Sequence, residues 1–326
     1  MSGETKEPTT TTTPKDAHTD GGGEKGELVI KSTPSLASRL NQRADLLRRI
    51  LSFHKTKNPK HYYDLRSFSK LFHRALPQPP PLWTSFPNSN HTTLQSLLDR
   101  LRELWQGGDR STMPFVIFIG EGEHSGICTL GEERKDYVKV QIPLSIYGAG
   151  RGRTTLVGVG LWIQGNKSFP AMGVVEIGDL TIKGGKRHGL TAYRGMDVRM
   201  RGVTVENCQC HGVGANGADI SCDDLQVVGC GLSGVCASSN ATITLSGQGT
   251  TIQGNVTDGD SDLYDYGLYT DSSSGKIQLV LPLTKEQIST NNGGGGNWGG
   301  DGTIEQVSRI FTFAEKEAAR AAAAAR

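Results

Sequence analysis

Two hydrophobic periods divide the chain. Up to Arg110 the apolar residues recur at helical spacing, and from Phe115 onward they recur every second residue. In the first part, Thr33-Pro34 is a helix start, with an N-cap residue followed by proline at the first helical position. Leu36, Leu40, Leu47 and Leu51 then share one stripe, with Leu46, Ile50 and Phe53 beside it. After the break at KTKNPK, the period resumes through Leu65, Phe68, Phe72 and Leu76 until Pro77 stops it. QPPPLWTSFPNSN is an irregular connector holding Leu82 and Trp83. Thr92 or Thr93 caps a third helix bearing Leu94, Leu97, Leu98, Leu101, Leu104 and Trp105, which Gly107-Gly108 ends.

The second part is a repeat. DLTI (179–182), GVTV (202–205) and DLQV (224–227) stand 23 and 22 residues apart, and HGL (188–190), HGV (211–213) and SGV (233–235) keep the same steps. A third track joins Val175, Val198, Ile220 and Ile243. Three short strands per repeat, each with an inward i, i+2 pair, predict one coil of a three-sided parallel β-helix. Stacking the coils predicts inward ladders Leu180/Val203/Leu225, Ile182/Val205/Val227, Leu190/Val213/Val235 and Ala192/Ala215/Ala237. The chain is therefore mostly β, divided into a polar tail (1–32), an α-helical module (33–110), a β-helix (113–311) and an Ala-rich C-terminal helix (312–326). That last helix would cover the open end of the coil stack.

Charge sharpens this division. The net charge of the whole chain is +2, yet residues 39–110 hold 13 Lys/Arg against 5 Asp/Glu. The remainder is mildly acidic, so the front end suits an acidic protein partner at least as well as nucleic acid, and we do not expect a nucleic-acid partner. No apolar run reaches membrane-spanning length and the N-terminus has no signal-type apolar core, so we expect a cytoplasmic or nuclear protein with reduced thiols and no membrane partner.

Chemistry-bearing residues cluster in VTVENCQCHGV (203–213), where Cys208, Cys210 and His211 crowd together as if around a metal. The repeat explains them otherwise. Cys208 and Cys230 share one turn position, Cys222 takes a core slot held elsewhere by Ile177, Met200 and Leu245, and His188 and His211 recur with the coil. No paired C-x-x-C cluster is present, so we expect neither metal nor cofactor. Asp223-Asp224 joins His188 and His211 as a candidate face, although Asp224 falls on the turn position of Asp179 and Gly202. The acidic run DGDSDLYD (258–265) reads as an insertion between coils rather than a calcium loop.

Two resemblances attach to these motifs. RADLLRRILSF, DLRSFSKLFHRAL and PPPLW together resemble an F-box. This implies docking to the adaptor subunit of an SCF-type ubiquitin ligase through Leu47, Ile50, Leu51, Leu65, Leu71, Leu82 and Trp83. The repeat resembles the right-handed, pectate-lyase-like β-helix superfamily. The two together imply a non-enzymatic adaptor whose β-helix holds a target protein, with no catalytic residue. The alternative is a polysaccharide-active lyase, hydrolase or epimerase acting on uronic-acid polymers. Against it, polygalacturonase-like enzymes carry Asn-Thr-Asp, Asp-Asp, Gly-His-Gly and Arg-Ile-Lys blocks in that order; this chain has Asp-Asp, but its His-Gly precedes it and the other two blocks are absent.

Overall fold

The computed structural model describes residues 83–108, 113–125, 136–165, 173–194, 196–258 and 265–309. One coil shows how the alternation becomes architecture. Leu190–Tyr193 is its first strand, and Asp197–Glu206 supplies the second and third, bent at Gly202. The chain turns through Asn207 and comes back as Val213–Asn216, in register beside Leu190–Tyr193. Repetition yields a parallel β-solenoid of about seven turns with few helices. First strands form a seven-stranded parallel sheet from Tyr137–Val140 to Trp298–Gly300, and the other two sides share a 14-stranded sheet that folds around a corner.

That corner explains the repeated Asp and Gly. Asp179, Gly202, Asp224 and Gly247 all have φ between 54° and 86° at the same place in successive coils. A left-handed residue bends an otherwise continuous strand, and glycine or a short polar side chain enters that region at least cost. The alternation has a steric cause. A Cβ on Gly202 would lie 2.9 Å from Asp179 Oδ1, and one on Gly247 would lie 2.4 Å from Asp224 Oδ1. Each aspartate lies over the next coil, which must therefore be glycine there.

The expected ladders line the interior. Val203 pairs with Leu180, Val205 with Ile182 and Val227, and Val213 with Leu190 and Val235, every one of them fully buried. Cys222 sits between Met200 and Leu245 in the core track, its Sγ 3.8 Å from Met200 Sδ. Cys208 and Cys230 are buried where the turn enters the core. Packing thus accounts for all three thiols.

The third amphipathic helix, α1 (Leu94–Gln106), is capped by Thr93, whose hydroxyl accepts the Ser96 N–H. Its buried Leu94, Leu97, Leu98 and Leu101 join the solenoid core. Gln95 Oε1 accepts the Lys139 N–H at 2.7 Å, occupying a donor on the outermost strand of the seven-stranded sheet. Trp83–Phe86 is a strand paired in parallel with Val116–Ile119. The last part of the segment read as one helical module, 33–110, is thus built into the solenoid. The reason is physical: the end of a coil stack exposes apolar side chains and unpaired strand groups, and α1 covers both. Trp83 belongs to that paired strand rather than to an irregular connector. Leu47, Ile50, Leu51, Leu65, Leu71 and Leu82 lie outside the described residues, as do 1–32 and 312–326.

Candidate functional site

The outer surface of the seven-stranded sheet carries three columns of side chains. Leu161, Ile163, Leu190, Ala192, Val213 and Ala215 point inward, so Trp162, Thr191, Tyr193, Gly214 and Asn216 face out. Register stacks Lys139, Trp162, Thr191, Gly214, Cys236 and Tyr269 into the middle column. Tyr193, Asn216 and Ser238 make the column on one side. The third column is His188, His211, Ser233 and Tyr266, each one residue before the glycine that precedes a strand.

Large rings gather on this outer surface. Trp162 and Tyr193 stack with centroids 4.9 Å apart and planes 18° apart, and Tyr137 meets Trp162 edge-on at 5.3 Å. Trp162 and Tyr193 are half-buried. Trp162 Nε1–H donates to Gln164 Oε1. At the other end of the column, Tyr266 and Tyr269 lie 5.7 Å apart.

The histidine column is a hydrogen-bond ladder. Tyr137 Oη accepts the His188 N–H, His188 Nδ1 accepts the His211 N–H, and His211 Nδ1 accepts the Ser233 N–H at 3.1 Å. Ser233 Oγ then accepts the Tyr266 N–H. From His188 onward each coil thus ties the backbone of the next coil to one of its side chains. The two imidazoles stack at 5.1 Å with planes 6° apart. With Nδ1 accepting in both, the neutral ring protonated on Nε2 is the consistent form. Burial pushes His188 down to about 4, with His211 and Arg187 adding to the effect. Burial also lowers His211, while Asp265, with Oδ1 3.6 Å from Nδ1, pulls the other way. Asp265 accepts Ser233 Oγ–H at 2.5 Å. The following glycines are steric: a Cβ on Gly189 or Gly212 would lie 2.2 Å from Val205 or Val227 Cγ1.

His188 and His211 therefore come together, partly buried just before a strand. Asp223 and Asp224 do not join them. They lie at the corner of the 14-stranded sheet, where Asp224 Oδ1 accepts the Gly249 N–H at 2.8 Å and Asp223 meets Ser246 Oγ and Arg201. Their role there is to hold the bend. Asp265 and Asp271 flank the strand Leu268–Thr270, and Asp271 accepts the Tyr269 hydroxyl at 3.0 Å. The sequence reading missed Trp162, Tyr193, Asp265 and Asp271. A signal for Tyr193 existed: an aromatic at an outward position in a strand whose inward Leu190 and Ala192 were already assigned.

No family model and no curated protein matches the sequence. Among solved structures, the chain is similar to the catalytic domain of a GH87 α-1,3-glucanase variant in complex with tetrasaccharides. The identity is 14%, the TM-score 0.32, and the coverage 69% of this chain and 40% of that one. It is similar also to a GH87 α-1,3-glucanase catalytic domain in complex with nigerose, at 16% identity and TM-score 0.26, covering 71% of this chain and 45% of that one. The chain spans less than half the length of either.

Proposed function

We propose that the seven-stranded face binds a polysaccharide chain, which makes the protein a carbohydrate-active β-helix. The observation that carries this is the half-buried Trp162–Tyr193 stack standing on the outer surface beside a column of neutral hydrogen-bonding groups. A pyranose ring presents flat C–H faces and a rim of hydroxyls. Sites for such ligands combine aromatic faces with a few fixed polar groups. The column from Trp162 to Tyr269 spans four coil steps, or ~19 Å at about 4.8 Å each. That length suits several consecutive sugars. The adaptor reading gains no support from the described residues.

Affinity electrophoresis through gels containing soluble neutral glucans, galactans or polyuronates tests the proposal. Retardation by at least one glycan, abolished in Trp162→Ala and Tyr193→Ala, supports it. Unaltered mobility in every gel contradicts it. Cleavage as well as binding is a second reading, favoured by Asp265 and Asp271, two carboxylates fixed by hydroxyl donors at either end of one strand. Release of reducing ends that disappears in Asp265→Asn and Asp271→Asn separates cleavage from binding.

A further inference from the structure

We propose that a notch above Gly214, walled by Thr191, receives a hydroxyl of an uncharged sugar and selects neutral hexose polymers over uronates. The inference rests on the reading of this face as a saccharide site. In the middle column, Gly214 stands between Thr191 and Cys236 with no side chain of its own. A Cβ there would touch only at ordinary distances, 3.7 Å from Thr191 Oγ1 and 3.9 Å from its Cγ2. Neither backbone conformation nor packing therefore demands glycine here, in contrast to Gly189 and Gly212, where the same atom would strike a core valine at 2.2 Å.

The second observation is Thr191 itself. It is 6% exposed, and its Oγ1 has no hydrogen-bond partner within the protein. A buried hydroxyl left unpaired costs about 1–3 kcal/mol. Valine has the same shape without that cost, so the hydroxyl has a use that the unliganded fold does not reveal. Both branches of Thr191 border the Cβ position that Gly214 lacks; Gly214 and the Thr191 hydroxyl are buried, so a ligand hydroxyl completes the missing bond where the side chains over them give way.

The surroundings decide the class of ligand. The positions flanking Gly214 within its own and the adjoining coils are Cys236, His188, His211, Tyr193, Asn216 and the serines 233 and 238, with Thr191. None of these carries charge at neutral pH, because burial keeps both imidazoles unprotonated, and Asp265, 3.6 Å from His211 Nδ1, sets a carboxylate beside them. A carboxylate entering this site would lose its hydration and meet the Asp265 carboxylate beside His211. A sugar hydroxyl meets no such penalty. This departs from the uronic-acid polymers considered from the sequence.

Titration calorimetry of the full chain with α-1,3-linked and β-1,4-linked glucotetraose, with tetragalacturonate as the charged counterpart, tests the inference. Thr191→Val should melt at the wild-type temperature or above it, yet bind the preferred glucotetraose about five- to tenfold more weakly, the worth of one hydrogen bond. Gly214→Ala should also remain folded and lose at least as much affinity. If both variants bind like wild type, the notch is not a subsite, although the saccharide face stands. Tighter binding of tetragalacturonate overturns the class assignment. If the wild type binds none of the three, the notch proposal falls, and the electrophoresis panel then decides whether the face binds other glycans.

Discussion

At the scale of single residues, position in the coil governs what each side chain does. Val205 lies between Ile182 and Val227, fully buried, and a carboxylate there has no partner. Val205→Asp should therefore cost more than about 3 kcal/mol and unfold neighbouring coils. His211→Ala removes one acceptor, but the Ser233 N–H also reaches Asp265 Oδ1 at 3.2 Å. Its cost should be about 1 kcal/mol. Thermal melts of the two variants check this order. His188 makes stability depend on pH. Its neutral form is favoured in the folded state, where it titrates at about 4, against 6.5 when unfolded. The contribution is complete above pH 6.5 and is lost as pH falls toward 4, with roughly 2 kcal/mol at stake once partial exposure is discounted. Denaturant titrations at pH 7.5 and 4.5 should differ accordingly, and His188→Gln should shrink that difference.

At the scale of elements, turns and ends decide what can vary. Gly184 has φ 63° and open space around its missing Cβ, so Gly184→Asn should leave stability within about 0.5 kcal/mol of wild type. Gly189→Ala drives a methyl into Val205 and the Gly212 carbonyl and should cost about 1–3 kcal/mol or more. Urea midpoints distinguish the two. The repeat was legible because three tracks shared one period: each ladder predicted from Leu180, Ile182, Leu190 and Ala192 is found inside. The alternating Asp and Gly at the corner were legible as a position, while the reason for the alternation needed the overlap of Asp179 with Gly202. The helix α1 was legible in its residues and cap but not in its placement. An amphipathic stripe shows that a helix has an apolar partner, and does not show which surface that partner offers. Gln95→Ala should lower stability by about 1 kcal/mol by removing the side-chain acceptor of the Lys139 N–H, an effect measurable by the same denaturant titration.

At the scale of the molecule, the solenoid presents two kinds of outer surface. The corner of the 14-stranded sheet uses Asp223 and Asp224 to hold its bend, and the seven-stranded side carries stacked rings, neutral imidazoles and two anchored carboxylates. Sequence reading weighed His188, His211, Asp223 and Asp224 as one face because it saw which residues recur. Residues that break the recurrence, such as Trp162 and Tyr193, are the ones on which the proposed recognition rests, and their meeting across coils depends on which way each strand turns its side chains. The central claim is that this side grips a sugar chain through Trp162. Its most direct test is a titration of intrinsic tryptophan fluorescence with the glycan that retards the protein most strongly. We predict a saturable change in the wild type that is lost in Trp162→Phe while the response of Trp105→Phe is retained. A saturable change that persists undiminished in Trp162→Phe would contradict the account, because the bound chain would then lie elsewhere on the molecule.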